Sequence, residues 1–336
     1  MSHEQTFLEA LSQRGVSRRS FLKFAAITAS SLALSGDAAK AFADTLASAR
    51  KPTVIWLSFQ QCTGCSESIL RSFNPSIENL ILDVISLDYH ETLQVAAGYQ
   101  AEEARAKAMK DAYGSYVLIV DGAIPSGATE FWSANAGNSN LATLNDAVSG
   151  AALVIALGTC ATHGGIPAAY PNPSHAAGYG DLVSQGLVHG NGRLPPHVNI
   201  TGCPPMAEVI TGTIAYYLAQ GGLPPLDVFK RPLVFYGSTV HDSCPRKGHH
   251  DARRFAASHG DAGAKQGYCL LKLGCRGPET FNSCTRLGWN HQPGTSEHLY
   301  SPTYSGHGCL GCSEPGFWDR NRNLVTGTFG SFYTPY

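Results

Sequence analysis

"TVIWLSFQQCTGCSES", Thr53 to Ser68, carries two signals in one stretch. Its first half is a short apolar run, rich in β-branched residues and without polar alternation, as in a strand covered on both faces. Its second half sets Cys62 and Cys65 three residues apart, directly beyond that strand's carboxyl end. Further runs of the same kind are "LILDVISL" (80–87), "YVLIVDG" (116–122), "AALVIALG" (151–158) and "HVNITG" (197–202). Between them, "AEEARAKAMKDAY" (101–113) and "MAEVITGTIAYYLAQGG" (206–222) read as helices, the second closed by glycines. Strand and helix in alternation predict parallel βαβ units, and so an α/β fold on a doubly wound parallel sheet.

A domain from 51 to 230 would hold this sheet. "GGLPPLDVFKRP" (221–232) is a Pro and Gly segment that marks a boundary; past it, from 231 to 336, apolar periodicity fades and loops should dominate. Of the 336 residues, 43% are hydrophobic and 15% charged, enough for a large core. A formal charge of -1 leaves no basic footprint for nucleic acid.

Near the start, "SRRSFLKFAAITASSLALSG" places Arg18 and Arg19 ahead of an apolar stretch running from Phe21 to about Leu34. The stretch is shorter than the roughly 20 apolar residues a spanning helix needs, and Ser and Thr interrupt it. Paired arginines before a weakly apolar run are the twin-arginine export pattern. Ala41, Phe42 and Ala43 then supply an AxA cleavage site, so residues 1–43 read as a signal peptide. That route carries folded proteins, typically with a cofactor inserted. The expected location is the periplasm or the outer face of the cytoplasmic membrane, with no transmembrane helix in a mature chain ending "GSFYTPY".

Ten cysteines follow the signal. Cys62 and Cys65, Cys160 and Cys203 each lie just past a strand's carboxyl end, the edge where doubly wound sheets bind ligands. Three distant loops would thus bring four thiolates together, the number for a tetrahedral zinc or a 4Fe-4S cluster. Glycines in "CTGC", "GTCATHGG" and "TGCPP" let backbone approach a bulky inorganic group. A second set comprises His241, Cys244, Cys269 and Cys275, again four ligands. A third holds Cys284, Cys309 and Cys312; three thiolates suit a 3Fe-4S cluster, with Pro302 a candidate filler of the fourth corner.

Three other chemistries compete at this level. An even cysteine count in an exported protein is the usual mark of disulfides, although a chain with a large core has little need of staples. CxxC alone also suits structural zinc or a redox dithiol, but a dithiol leaves Cys160 and Cys203 unexplained. His163, His249, His250 and His307 stand beside the cysteine sets and could donate hydrogen bonds to them, or be surface residues. Glu67, Asp88 and His90 could move protons at an interface, or simply be solvated or capping groups.

The ordered motifs "CTGCSES", "GTCATHGG", "TGCPP", "HDSC", "GYCLLKLGCRGPETFNSC" and "SGHGCLGCSEPGFWD" span nearly all of the chain after the signal. In them the chain resembles the small, electron-transferring subunit of exported uptake NiFe hydrogenases. The resemblance implies a flavodoxin-like domain followed by a loop-rich iron-sulfur domain, and a Ni-Fe site in a separate large subunit. It implies that Cys62, Cys65, Cys160 and Cys203 hold a proximal 4Fe-4S cluster. His241, Cys244, Cys269 and Cys275 would hold a distal 4Fe-4S cluster, and Cys284, Cys309 and Cys312 a medial 3Fe-4S cluster, with Pro302 in place of a fourth cysteine. Hydrogen would be oxidised reversibly to two protons and two electrons in the large subunit. The electrons would pass proximal, medial and distal clusters in turn to a cytochrome or membrane acceptor near His241. Oxygen-tolerant members add two proximal cysteines where this chain has Gly64 and Gly165, so ordinary oxygen sensitivity is implied. Gln61 replaces a glutamate found in many relatives, which removes a proton carrier from that position.

Overall fold

A computed structural model describes residues 18–49, 51–72, 85–289 and 300–319. The chain divides into two units between Val234 and Phe235.

The first unit is built on five parallel strands: β1 (Thr53–Ser58), β2 (Ser86–His90), β3 (Tyr116–Asp121), β4 (Ala151–Leu157) and β5 (His197–Ile200). Their order is β2-β1-β3-β4-β5. Succession along the sheet therefore reverses between β1 and β3, the point at which such sheets place a ligand crevice beyond the strands' carboxyl ends. Every residue of β3 is buried, and Val54, Ile55, Trp56 and Leu57 are at most 1% exposed. This accounts for the unbroken apolar runs: both faces of these strands are covered.

Helices α1 (Arg18–Ser31), α2 (Gly36–Ser48), α3 (Gly64–Leu70), α4 (Tyr99–Asp111), α5 (Asn140–Val148), α6 (Gly158–His163) and α7 (Ala207–Gln220) complete the unit used below. α7 ends at Gly221, whose φ of +67° is the left-handed cap that glycine adopts without a Cβ penalty. α1 and α2 pack on each other and on α7, with Phe42 and Leu46 fully buried. α2 runs unbroken through Ala41, Phe42 and Ala43, where the sequence places a cleavage site. Among the described residues, no helix is long and apolar enough to cross a membrane.

Two expectations shift. Strand β2 occupies 86–90 rather than 80–87; as an edge strand it has one ladder to set its register, and pairing with β1 buries Tyr89 and His90. Residues 80–84 of the expected strand lie outside the described residues. The Pro and Gly segment at 221–232 is held against β5: the Asn199 amide N–H donates to the Lys230 carbonyl at 2.9 Å, and its side chain to the Phe229 carbonyl at 2.8 Å. Within the segment, Arg231 pairs with Asp227 at 2.7 Å.

The second unit has short helical turns, including α8 (Lys247–Asp251) and α9 (Cys284–Leu287), and isolated bridges such as Thr239 with Phe281. Phe235, Tyr236, Val240, Ala256, Phe317 and Trp318 are buried in it, and so are Cys269, Cys275, Cys284 and Cys309. Thiols form part of an interior with little regular structure.

Candidate metal centres

The loop after β1 reaches the crevice by pairing with the loop after β3. Gln60 and Ala123 exchange backbone hydrogen bonds at 3.0 Å in both directions. Gly122, at φ +101°, permits this, since a Cβ there would stand 2.8 Å from the Gln60 backbone. Thr63 then takes the left-handed conformation and α3 begins, with Cys62 exposed just before it and Cys65 in its first turn.

The loop after β4 becomes α6, which carries Cys160. Thr159 N–H donates to the Gly202 carbonyl at 2.9 Å, and Gly202 N–H donates to Thr159 Oγ1 at 3.0 Å. These bonds tie Cys160 to the turn before Cys203. A Cβ on Gly158 would stand 2.4 Å from Cys65 Sγ, and one on Gly165 2.6 Å from Cys160 Sγ. Cys62, Cys65, Cys160 and Cys203 therefore lie beyond the same edge of the sheet, close enough to act on one another electrostatically.

Burial pushes the Cys65 thiol well up, and Asp121, Cys160 and Cys203 push it further. Burial, then Cys203, raises Cys160 to about 12; burial, then Cys62, raises Cys203. Burial and neighbouring thiols oppose ionisation of Cys65, Cys160 and Cys203, and a bound cation offsets both. No disulfide joins any of the ten cysteines, all of which are described. The donor set and the space kept by two glycines fit a cluster rather than crosslinks.

Behind Cys65 lies a polar network with no counterpart among the expected site residues. Asp121, closing β3, is fully buried; Trp56 Nε1 donates to its Oδ2 at 3.4 Å, and the Cys65 and Ser66 side chains lie near enough to lower its pKa. Burial lifts the carboxyl to about 7 against the pull of these donors. His90, expected among the solvated or capping groups, is instead 1% exposed. Glu67 is exposed and pairs with Arg71, and Asp88 is exposed. An acid at the end of an apolar strand, "YVLIVD", was the available clue to Asp121.

His163 closes α6 with its ring edge-on to Phe229 at 5.9 Å. Its Nε2 is buried without a partner among the described residues, and burial lowers its pKa to about 4.

In the second unit, His241, Cys244, Cys269 and Cys275 line one pocket with Arg246 and Gly277. Amides point at the sulfurs: Arg246 N–H donates to Cys244 Sγ at 3.4 Å and Cys309 N–H to Cys275 Sγ at 3.2 Å. Arg246 is pinned by its own bonds to the Thr303 and Tyr268 carbonyls at 2.6 and 2.8 Å. The His241 ring meets His250 at 4.5 Å, and side-chain ligand atoms of His241, His250 and Asp251 lie within 4.8 Å of one another.

The third set is drier. Burial pushes Cys284 up to about 12, with a hydrogen bond from Trp289 opposing it and Cys309 adding to it. Cys309 reaches about 12 through burial and then Cys312, while Gly311 N–H at 3.4 Å from its sulfur lowers it. Cys309 thus feels or is felt by both other cysteines and stands between them electrostatically. Pro302 sits between buried Ser301 and Thr303, its carbonyl accepting from His307 N–H at 2.8 Å. The bond from Cys309 N–H to Cys275 joins the second and third sets, a link no spacing announced.

Residues 62–217 match the family model described as NADH ubiquinone oxidoreductase, 20 Kd subunit, and residues 236–325 match that for the C-terminal part of the NiFe/NiFeSe hydrogenase small subunit. The periplasmic NiFe hydrogenase small subunit 1 of Nitratidesulfovibrio vulgaris is 44% identical over 311 residues, 93% of each chain. The hydrogenase-1 small chain of Escherichia coli is 40% identical over 334 residues, 99% of this chain and 83% of the relative. The NiFeSe hydrogenase structure from Desulfomicrobium baculatum superposes with a TM-score of 0.72 at 29% identity, covering 85% of this chain and 100% of that one. With thiols set beyond the carboxyl edge of a flavodoxin-like sheet and relatives of this identity along almost its whole length, the chain belongs to the NiFe hydrogenase small-subunit family.

Proposed function

We propose that this chain conducts electrons through three iron-sulfur centres. Cys62, Cys65, Cys160 and Cys203 would hold a proximal 4Fe-4S cluster, His241, Cys244, Cys269 and Cys275 a distal 4Fe-4S cluster, and Cys284, Cys309 and Cys312 a medial 3Fe-4S cluster. When bound, such clusters supply one-electron carriers whose potentials follow ligands, hydrogen bonds to sulfur and burial. The observation that carries the reading is the convergence of four thiols from three loops, with Gly158 and Gly165 keeping Cβ atoms out of the space beside them.

The residues divide the remaining work. Backbone N–H groups of Arg246, Cys309 and Gly311 hold sulfurs in place and stabilise their charge. Buried Cys284 and Cys309 keep water from the third set. As a hydrogenase small subunit, the chain works with a large subunit; the Ni-Fe site that oxidises hydrogen belongs there. The acceptor, a cytochrome or membrane component, would receive electrons near His241. Relatives named periplasmic, uptake and quinone-reactive hydrogenases support an exported protein, delivered through the Arg18 and Arg19 leader.

Anaerobically purified heterodimer should contain about twelve acid-labile sulfides, and about eleven irons beyond the one at nickel. Sulfide-free protein, holding disulfides or zinc, would refute the proposal. Pro302→Cys should replace the three-iron EPR signal and lower the medial potential; an unchanged signal would remove Pro302 from the site.

A further inference from the structure

The segment 241–272 carries six Lys or Arg and three Asp, an excess of three positive charges in a chain whose formal total is -1. The cations are placed around His241. Lys247 lies close enough to His241 to lower its pKa. Lys272 stands 5.3 Å from the centre of the Phe255 ring, Phe255 meets His250 edge-on at 5.9 Å, and His250 meets His241 at 4.5 Å. Arg253 and Arg254 follow α8 directly, both exposed; their N–H groups bond to the His250 and His249 carbonyls. The Arg254 carbonyl in turn accepts from Cys269 N–H at 3.0 Å.

The three carboxylates of the segment are engaged locally. Asp242 accepts from Thr239 N–H at 2.7 Å, Asp251 bonds to His250 Nδ1 at 3.1 Å, and Asp261 accepts from the N–H groups of Ala257, Ser258 and Ala264. Among the described residues, no carboxylate pairs with Lys247, Arg253, Arg254 or Lys272. Unpaired cations around a half-buried imidazole set up a positive field at that surface, and such a field steers a partner of opposite sign and aligns it for contact.

We propose that Lys247, Arg253, Arg254 and Lys272 form the docking rim for the electron acceptor, and that this acceptor is an acidic electron-transfer protein whose redox centre is ringed by carboxylates. One electron passes from the reduced enzyme to the oxidised acceptor, with no bond made or broken. The proposal rests on the reading of His241, Cys244, Cys269 and Cys275 as the distal ligand set and adds the chemistry of what docks over it.

The test uses the whole heterodimer under hydrogen, with two haem proteins of opposite surface charge as probes: the acidic soluble domain of a cytochrome b5 and the basic cytochrome c. At low salt, cytochrome b5 should be reduced with the larger second-order rate constant. That constant should fall roughly tenfold or more between about 10 mM and about 300 mM salt, as the Debye length shrinks. In the Arg253→Glu/Arg254→Glu variant, the ratio of the cytochrome b5 rate to the cytochrome c rate at low salt should fall at least as far. A cytochrome b5 rate indifferent to salt, or a low-salt preference of the unaltered enzyme for cytochrome c, would overturn the proposal. So would sedimentation with phosphatidylglycerol vesicles alongside salt-indifferent cytochrome b5 reduction, which would give the rim to a membrane. If the unaltered heterodimer with hydrogen reduces neither haem protein nor benzyl viologen, the relay reading fails instead.

Discussion

The Ser66 hydroxyl stands 3.2 Å from Nε2 of His90, a residue only 1% exposed. Thr92 and Leu93 N–H groups approach Nδ1 of the same ring at 3.1 and 3.3 Å, so Nδ1 accepts and the proton of the neutral ring is on Nε2. His90 therefore donates to Ser66. The arrangement requires an uncharged imidazole, and burial lowers its pKa to about 4.

A folded pKa below the unfolded value of about 6.5 means that the unfolded chain binds the extra proton first. The stability tied to His90 is thus complete above about pH 6.5 and is lost as pH falls toward 4, amounting to about 3 kcal/mol when lost in full. Thermal midpoints of the anaerobic heterodimer should drop between pH 7.5 and pH 5, and His90→Gln should flatten that drop. An equal drop in the variant would remove His90 as its source.

Asp121 is a negative charge placed against Cys65, with its carboxyl raised to about 7. Asp121→Asn should raise the potential of the proximal centre on the order of 100 mV at pH 8, where the carboxylate is ionised. At pH 6 the native carboxyl is largely protonated, and the difference should shrink. Redox titration followed by EPR at the two pH values decides it; equal potentials at pH 8 would show that the charge is not felt at the thiols.

Gly158 and Gly186 both have positive φ, +82° and +73°, but only at Gly158 would a Cβ meet a thiol, 2.4 Å from Cys65 Sγ; around Gly186 nothing lies within 4 Å. Gly186→Ala should cost about 1 kcal/mol of backbone strain and leave iron unchanged. Gly158→Ala should lose about four irons with the proximal signal. Iron analysis of the two variants side by side separates strain from displacement of the ligand.

Phe42 and Leu46 in α2 are fully buried where α1 and α2 pack on α7. Truncating Phe42 to Ala in the unprocessed chain should weaken that docking by about 3 kcal/mol. Limited proteolysis would then cut within 18–48 sooner than in the native chain, at a protease dose that leaves the five-stranded sheet intact. Identical cutting would mean that the hairpin gains little from this contact.

Much of this was legible locally. A strand covered on both faces must be apolar throughout, so "TVIWLSF", "YVLIVD" and "AALVIAL" announced themselves, and alternation with helices made the sheet parallel. Cysteines directly after "TVIWLSF", "AALVIAL" and "HVNITG" had to share one edge. What stayed hidden depends on partners far along the chain. His90 looked like a surface residue because nothing near it in sequence shows that β1 pairs with 86–90 and turns its ring inward. The bond from Cys309 to Cys275 joins residues 34 apart in the sequence.

The amino-acid sequence by itself determined which elements form and which side chains can bind iron, because backbone periodicity and donor chemistry are properties of short stretches. Only the tertiary structure decided the register of β2, the buried bond between His90 and Ser66, and the gathering of cations around His241. Each of these depends on which distant residues come to share a dry or crowded space, and no local pattern carries that information.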